Sequence, residues 1–468
     1  MINLDKNLAP TDLQPQLERF WARSAQCIEA VERRCPIGGP SPVFTKAGHY
    51  TSQGWTEWTQ GFQYGSALLQ FDATGDERFL ELGRERTLSA MAPHLTHFGV
   101  HDHGFNNVST YGNLWRLMNE RRIAEHAWER RFYELALKAS GAVQADRWSR
   151  TADGTGYIYS FNGPQSLFVD TIRSCRSLAL AHQLGHASMG EQDQRISLLA
   201  RLFEHAANTA RYNIWYGEGR DAYDLAGRTA HESVFNTSNG VYRCPSTQQG
   251  YSPFSTWTRG LAWAMLGFAE QLEWISTRAD DELAELGGRS KVIATFLKPA
   301  RATCDFYINE TPTCGVPYWD TGAPGLAKLG DYRNRAADPF NEYEPVDSSA
   351  AAIAAQGLLR LGHFLVHEVG ELEAGSQYVE AGLTIVKTLF DEPYLSTDSD
   401  HDGLLLHSVY HRPNDWDYVP PGRKVPCGES SMWGDYHARE VALYVERLAE
   451  AAPYYTFFGS VSADESAN

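Results

Sequence analysis

The segment 100–105 holds the residue types best suited to chemistry in this chain. It places the carboxylate of Asp102 between the imidazoles of His101 and His103, directly before Gly104. Such a carboxylate could act as a catalytic acid or base, bind a metal ion, or cap the first turn of a helix. The donor-bearing Asn, Ser, Thr and Tyr residues that follow favour its ionised form.

A second carboxylate, Asp170, stands in the apolar stretch 167–172. Burial among apolar side chains raises the pKa of a carboxyl group, and this would suit a proton donor. The alternatives are a helix cap and a simple ion pair with Arg173 or Arg176 in the next turn. Two carboxylates in contrasting surroundings predict acid–base chemistry on a polar substrate.

A metal centre is the alternative that the His–x–His spacing suggests. Such a site needs three or four converging ligands, and the other histidines are scattered. His407 and His411 would converge only on a helix, whereas their surroundings look extended. The segment 398–403 begins like an EF-hand calcium loop, but its twelfth position is Val409, where a bidentate Glu is required. We therefore predict neither a metal nor a cofactor.

The composition favours a carbohydrate substrate. Aromatic residues make up 12% of the 468 residues, with 13 Trp and 23 Tyr, whose flat faces and polar edges suit sugar rings. A large aromatic core is the simpler explanation. The formal net charge of −17 disfavours nucleic acid and anionic membranes. An acidic substrate would need a local cation; Arg259 is the candidate because its planar fork matches a carboxylate, unless it is a buried structural arginine.

The seven cysteines are scattered and form no C-x-x-C pair. An odd number without a framework predicts reduced thiols and a cytoplasmic protein. The N-terminal residues lack the basic and apolar regions of a signal peptide. The sequence contains no run of about 18 apolar residues, which a membrane-spanning helix would require.

Helical periodicity recurs along the chain. Residues 257–272 repeat apolar side chains every three to four positions, and 353–364 do the same after a cap at Asp347 or Ser348. Further helices are predicted near 13–32, 56–72, 77–93, 122–143, 193–213, 289–308, 376–390 and 432–450. Long loops separate them at 94–113, 150–165, 214–256, 311–346 and 393–431. About a dozen helices without a strand-rich block predict an all-α toroid, with one domain over 1–458 and a frayed polar tail over 459–468.

Short motifs over nearly the whole chain resemble those of one family. They occur in the family's order at 58–62, 101–105, 111–113, 169–171, 249–251, 255–260, 262–263, 319–320, 347–351 and 434–436. On these motifs the chain is similar to glycoside hydrolase family 88, the unsaturated glucuronyl hydrolases, and more distantly to the unsaturated rhamnogalacturonyl hydrolases. The resemblance implies an (α/α)6 barrel.

The resemblance also implies a reaction. The substrate would carry a 4,5-unsaturated uronic acid, left at its non-reducing end by a polysaccharide lyase. A carboxyl group matching Asp170 protonates C4 and helps water to attack C5, after which the hemiketal falls apart. A group matching Asp102 holds the ring and the protonation state of its partner. Because this is hydration and not displacement, the carboxylate-separation rule of ordinary glycosidases does not apply.

Further residues are assigned by match to the family's motifs. Substrate-binding roles are expected for Trp58, His231, Gln249, Trp257 and Arg259. The chain departs from the family at His103, where an apolar residue is usual, and at Arg173. We interpret His103 as the sign of an unusual substrate, and we expect Arg173 to lower the pKa of Asp170 or to bind a sulfate or carboxylate of the substrate.

The resulting hypothesis is a cytoplasmic glycoside hydrolase, monomeric or homodimeric, that acts on small acidic oligosaccharides. Other functions remain open. One is a sugar epimerase that uses His231 or His407, and another is a glycosidase acting on a saturated uronic acid. The third is a non-catalytic sugar-binding module, which would leave the carboxylate pair unexplained.

Overall fold

Twelve helices build the part of the chain that the computed structural model describes, residues 1–459. They are α1 (Gln14–Arg34), α2 (Gln60–Thr74), α3 (Glu77–Ala90), α4 (Asn113–Asn119), α5 (Ala127–Asp146), α6 (Arg176–Gln183), α7 (Leu198–Tyr212), α8 (Thr258–Ser276), α9 (Arg289–Glu310), α10 (Ser348–Phe364), α11 (Leu372–Leu389) and α12 (Met432–Ala449). Shorter helical turns lie between them. The predicted frayed tail lies outside the described residues from position 460 onward.

The helices alternate between an outer and an inner layer. The even-numbered helices form the inner layer, and each packs against its neighbours in a ring. Nearly every residue of α8 and α10 is buried, as expected for helices that are apolar on all sides. Two short turns, His103–Asn106 and Thr171–Ser174, complete the ring: they pack against each other, and Thr171–Ser174 packs against α8. The (α/α)6 barrel expected from the sequence is confirmed.

Helix α10 illustrates how the sequence positions an inner helix. Asp347 caps it, because its carboxylate accepts from the backbone N–H groups of Ser349 and Ala350. By length and composition the continuous segment Ser348–Val369 could cross a membrane, but 89% of its apolar window is buried inside the protein. A helix buried in the core of a protein can have the same length and apolar composition as a membrane-spanning helix.

Short strands occupy the loops, which the helical periodicity did not predict. They are β1 (Pro42–Lys46), β2 (His49–Ser52), β3 (Trp148–Arg150), β4 (Gly156–Ile158), β5 (Ser166–Phe168), β6 (Ser188–Met189), β7 (Arg195–Ile196), β8 (Glu232–Phe235) and β9 (Tyr242–Ser246). The order β5-β8-β9 forms an antiparallel sheet in which Phe168 pairs with Glu232. Just beyond this pair, the N–H of Val169 donates to the carbonyl of His231 at 2.9 Å. The sheet thus fixes the position of Asp170.

Arg173 lies inside the barrel and not in a substrate-binding position. Its Nε is 2.8 Å from Glu270 Oε2 on α8, and its Nη2 is 2.7 Å from Glu440 Oε2 on α12. All three side chains are buried. The predicted role in substrate binding is therefore wrong: an arginine one turn after Asp170 faces the barrel interior, where two glutamates neutralise its charge.

We expect Arg173→Met to lower the free energy of unfolding by about 3–5 kcal/mol, because Glu270 and Glu440 would stay buried with only their longer contacts to Arg176, at 3.9 and 3.7 Å. Chemical denaturation measures the change. A matched control is Lys424→Met, which breaks the exposed pair with Glu342 and should leave the free energy of unfolding nearly unchanged, because solvent screens this pair. Equal stability of the two variants would contradict the assignment of Arg173 to a structural ion cluster.

Candidate active site

A cavity of about 460 Å³ opens where several inner helices begin. Of the predicted site residues, the structure brings together Asp102, Asp170, Trp58, Gln249, Trp257 and Arg259. Helices α2 and α8 start beside the cavity, so the positive ends of their dipoles face it and favour an anionic ligand. His231 and Arg173 do not line it.

Asp102 and Asp170 occupy equivalent places, each directly before a short helical turn. Neither side chain caps its turn. The helix-cap interpretation, which the sequence left open for both, therefore fails. Both carboxylates face the cavity, although only a small part of each is exposed.

Gly104 allows the two turns to approach each other. Its N–H donates to Ser174 Oγ at 2.9 Å, and its carbonyl accepts from Arg176 Nη2 at 2.9 Å. A Cβ at this position would lie 2.1 Å from the carbonyl oxygen of Ser174. Only glycine permits this contact, and the contact brings Asp102 close to Asp170.

His101 lies between the two carboxylates. Its Nε2 is 3.7 Å from Asp102 Oδ1 and also 3.7 Å from Asp170 Oδ2. The side chain is only 1% exposed, yet it lines the cavity. Sequence reasoning weighed His101 only as a metal ligand. The sequence feature that could have indicated its role is its position beside Asp102. The sequence of a loop, however, does not show which side chains face inward.

The pKa of Asp170 is shifted opposite to the prediction. Burial raises it, but the neighbouring imidazoles of His101 and His231 outweigh burial and hold the pKa of this carboxyl below its ordinary value. The apolar residues that flank Asp170 in the sequence correctly predict its desolvation. They do not predict the two histidines, because only the fold brings these side chains close to Asp170.

The pKa values of the other two groups, Asp102 and His101, are raised. Burial raises the pKa of Asp102, with a further contribution from the negative charge of Asp170, and His101 opposes the shift only in part. Burial lowers the pKa of His101, but the two carboxylates outweigh it and leave the pKa above its ordinary value of 6.5. The arrangement therefore favours the protonated form of His101 and the ionised form of Asp170.

His103 is a core residue and does not line the cavity. Its Nδ1 lies 3.1 Å from Ser140 Oγ, and its Nε2 lies 3.2 Å from the carbonyl oxygen of His97. Burial lowers its pKa to about 3, so the ring is neutral. The interpretation of His103 as a sign of an unusual substrate is not supported, since the ring is buried and does not line the cavity.

His231 supports the cavity wall from behind. Its ring packs against Phe168 and Trp257, with centroids 4.2 and 4.8 Å away. Its Nδ1 accepts from the backbone N–H groups of Gln248 and Gln249 at 3.1 and 3.3 Å. Burial lowers its pKa to about 4. The structure therefore gives His231 a role in positioning the loop of Gln249.

Arg259 lines the cavity, but its charge is already engaged. Its Nη1 is 3.2 Å from Asp347 Oδ2, and its Nη2 donates to Gln249 Oε1 at 2.8 Å. The guanidinium lies between Trp257 and Trp433, 4.7 and 4.8 Å from their ring centroids. Because Gln249 accepts through its carbonyl oxygen, its amide nitrogen is left to donate into the cavity.

Within residues 1–459, no group of three or more His, Cys, Asp or Glu side chains is arranged to hold a metal ion. The segment 398–403 forms a turn, as the sequence predicted, with the N–H of His401 donating to the carbonyl of Asp398. The other motif carboxylates serve the backbone: Asp320 accepts from Tyr251 N–H at 2.8 Å.

We expect Gly104→Ala to lower the free energy of unfolding by about 1–3 kcal/mol, because the added methyl group collides with the Ser174 carbonyl. Denaturant unfolding of the purified protein tests this. The control is Gly190→Ala: Gly190 has an ordinary φ of −88°, and its added Cβ would meet nothing closer than 3.4 Å. A Gly104→Ala protein as stable as this control would contradict the close contact.

No family model matches the chain. Over 401 residues it is 27% identical to the unsaturated glucuronyl hydrolase of Bacillus sp. (strain GL1), which covers 84% of this chain and 87% of that protein. It is 25% identical over 412 residues to the unsaturated chondroitin disaccharide hydrolase of Streptococcus pyogenes serotype M1, covering 86% and 84% of the two chains.

The crystal structure of the Bacillus sp. GL1 enzyme shares the fold. It matches with a TM-score of 0.69 at 22% sequence identity, and the match covers 92% of this chain and 97% of that one. The sequence motifs, the curated relatives and the barrel agree with one another. The chain is therefore a relative of the unsaturated glucuronyl hydrolases.

Proposed function

We propose that this protein is a glycoside hydrolase that removes a 4,5-unsaturated uronic acid from the non-reducing end of lyase-generated oligosaccharides. The observation that carries the proposal is the pair of carboxylates, Asp102 and Asp170, which face one cavity and share the imidazole of His101. Their pKa values are shifted in opposite directions, as a proton donor and a proton acceptor require.

The reaction needs one proton and one water molecule. The proton adds to C4 of the vinyl ether and the water oxygen adds to C5, while the water gives up a proton to a base. The resulting hemiketal opens, which releases the shortened saccharide and an open-chain keto-uronate. No electrons are transferred, so the chemistry can run on the side chains of this chain alone.

The proton roles belong to the carboxylate pair. Interacting carboxyl groups titrate together, so a single proton is shared between them. In the resting site Asp102 holds it more readily, and the ionised Asp170 can accept a proton from water. The family resemblance assigns the role of proton donor to Asp170. Asp170 can play this role if the shared proton moves to it when the substrate binds.

The remaining lining residues suit a uronate. The amide of Gln249 and the start of α8 favour a carboxylate in the cavity, and Arg259 holds that amide in place through the Gln249 side-chain oxygen. Trp58 and Trp257 offer apolar faces for the sugar ring. Trp58 is itself held by stacking on Trp433, with ring centroids 5.1 Å apart.

We also propose that residues 1–458 act as one catalytic unit in the cytoplasm, as a monomer or a homodimer. All seven cysteines are free thiols in the structure. This supports a reducing compartment. Gel filtration with light scattering would determine the oligomeric state.

The epimerase alternative is not favoured. His407 does not line the cavity; its Nδ1 accepts from the N–H of Gly428 at 3.0 Å, and burial lowers its pKa to about 4. His231 is engaged behind the cavity wall. A glycosidase acting on saturated uronates would use the same carboxylates, and a matched saturated disaccharide in the substrate panel distinguishes it.

We expect Asp170→Asn to lower kcat by about 10²–10⁴-fold, because the amide can neither give nor take the proton. The measurement is the loss of the ultraviolet absorbance of the conjugated uronate in an unsaturated disaccharide. Asp400→Asn is the matched control, since Asp400 is exposed and does not line the cavity. Near-normal turnover by Asp170→Asn would refute the proposed function.

The cavity also predicts a preference for unsulfated substrates. Among the described residues that line it, Arg259 is the one Lys or Arg, and its charge is engaged by Asp347. Glu57 lines the cavity as well and adds negative potential. A sulfate on the neighbouring sugar would therefore lose water without gaining an unengaged Lys or Arg side chain.

We expect kcat/KM to be about tenfold or more higher for an unsulfated unsaturated disaccharide than for its sulfated counterpart, a difference of about 1.4 kcal/mol. Glu57→Lys should narrow this ratio, whereas the same change at the exposed Glu77 of α3 should leave it unchanged. A wild-type enzyme that prefers the sulfated disaccharide would contradict the argument from charge.

A further inference from the structure

His101 differs from the other buried histidines of this region in having no hydrogen-bonding partner. Among the described residues, neither its Nδ1 nor its Nε2 has one. The contacts of 3.7 Å to Asp102 and Asp170 are longer than a hydrogen bond, so they are contacts between charges. By contrast, both nitrogens of His103 have partners.

Apolar contacts hold the ring of His101 in place. Phe161 stacks on it, with centroids 5.9 Å apart and an interplanar angle of 19°, and Phe168 meets it edge-on at 5.5 Å. Its backbone carbonyl accepts from Gln144 Nε2 at 2.8 Å. The backbone is thus fixed by hydrogen bonds, while the polar atoms of the ring remain available to the two carboxylates.

We propose that His101 is a positioning residue for the hydration reaction: its imidazolium holds Asp102 and Asp170 as one unit that gives one proton and takes one proton in each cycle. This rests on the proposed function of the cavity. The pair delivers its proton to C4 and regains one from the attacking water, so its charge is restored at the end of the cycle. His101 transfers no proton to the substrate.

The charged and titratable groups around His101 support this role. Those that act on it or on the two carboxylates are Asp102, Asp170, Glu57, His97, Arg147, His205, His231 and Arg259. Arg147 opposes a charge on His101, but its guanidinium is bound to the carbonyls of Tyr159 and Ser160. His205 and His231 have lowered pKa values and are neutral. Among the described residues, His101 is the basic side chain within 4 Å of the Asp170 carboxylate.

The first test is the pH profile of His101→Ala. Removing the imidazolium takes away the largest interaction that opposes burial, so the pKa of Asp170 should rise and the acid limb of the kcat/KM profile should move to higher pH. We expect kcat to fall by about 100-fold or more, within the usual range for loss of acid–base function, with a smaller change in KM. A purely structural role would lower activity without moving the limb.

Imidazole provides a rescue experiment. His101 borders the cavity, so its removal leaves a space that added imidazole can enter, and we expect part of the lost kcat to return. The matched control is His103→Ala, which removes a buried imidazole two residues away that does not line the cavity. It should keep the wild-type pH profile and show no response to imidazole. The same pH profile and the same response of kcat to imidazole in both variants would overturn the proposal.

A measurement without substrate separates this inference from the proposed function. The NMR titration of the labelled His101 ring, assigned by its loss in His101→Ala, should move to lower pH in both Asp102→Asn and Asp170→Asn. A titration unchanged in both variants would overturn the coupling whatever the substrate. If the wild-type enzyme leaves every unsaturated disaccharide intact, the proposed function fails, and the titration still decides whether His101 couples the two carboxylates.

Discussion

The close contact between Gly104 and Ser174 is the constraint on which the site depends. The inner ring of helices is closed there by two short turns, and each turn is preceded by one of the two carboxylates. A side chain at position 104 would separate the turns and, with them, Asp102 from Asp170. The same packing that completes the barrel therefore assembles the candidate catalytic pair.

The distance between buried opposite charges differs between the barrel interior and the cavity. In the interior, Arg173 has close ion pairs with Glu270 and Glu440, and these charges are compensated within the protein. At the cavity, His101 contacts its two carboxylates only at 3.7 Å, and Asp170 Oδ1 has no hydrogen-bonding partner among the described residues. The longer separation leaves the charges at the cavity less fully compensated, and such buried charges are costly unless a ligand satisfies them.

The cavity accommodates an anion in a protein of strongly negative net charge. Local features achieve this: the starts of α2 and α8 face the cavity, and Arg259 lies between two tryptophans beside Gln249. The guanidinium is also tied to Asp347, the residue that caps α10. One arginine therefore links the cavity wall to an inner helix, which explains why it lines the cavity and is a structural residue at once.

The sequence by itself determined the helical class, a cap at Asp347 or Ser348, the turn at 398–403 and the segments that carry the carboxylates, because periodicity, capping and turn chemistry are local. It did not determine which side chains of a loop face inward. Only the tertiary structure placed Arg173 on Glu270 and His103 on Ser140, and only it brought His101 to Asp170, some seventy residues further along the chain. The direction of the Asp170 pKa shift followed from that last contact, since electrostatic interactions depend on distance in space and not on distance along the chain.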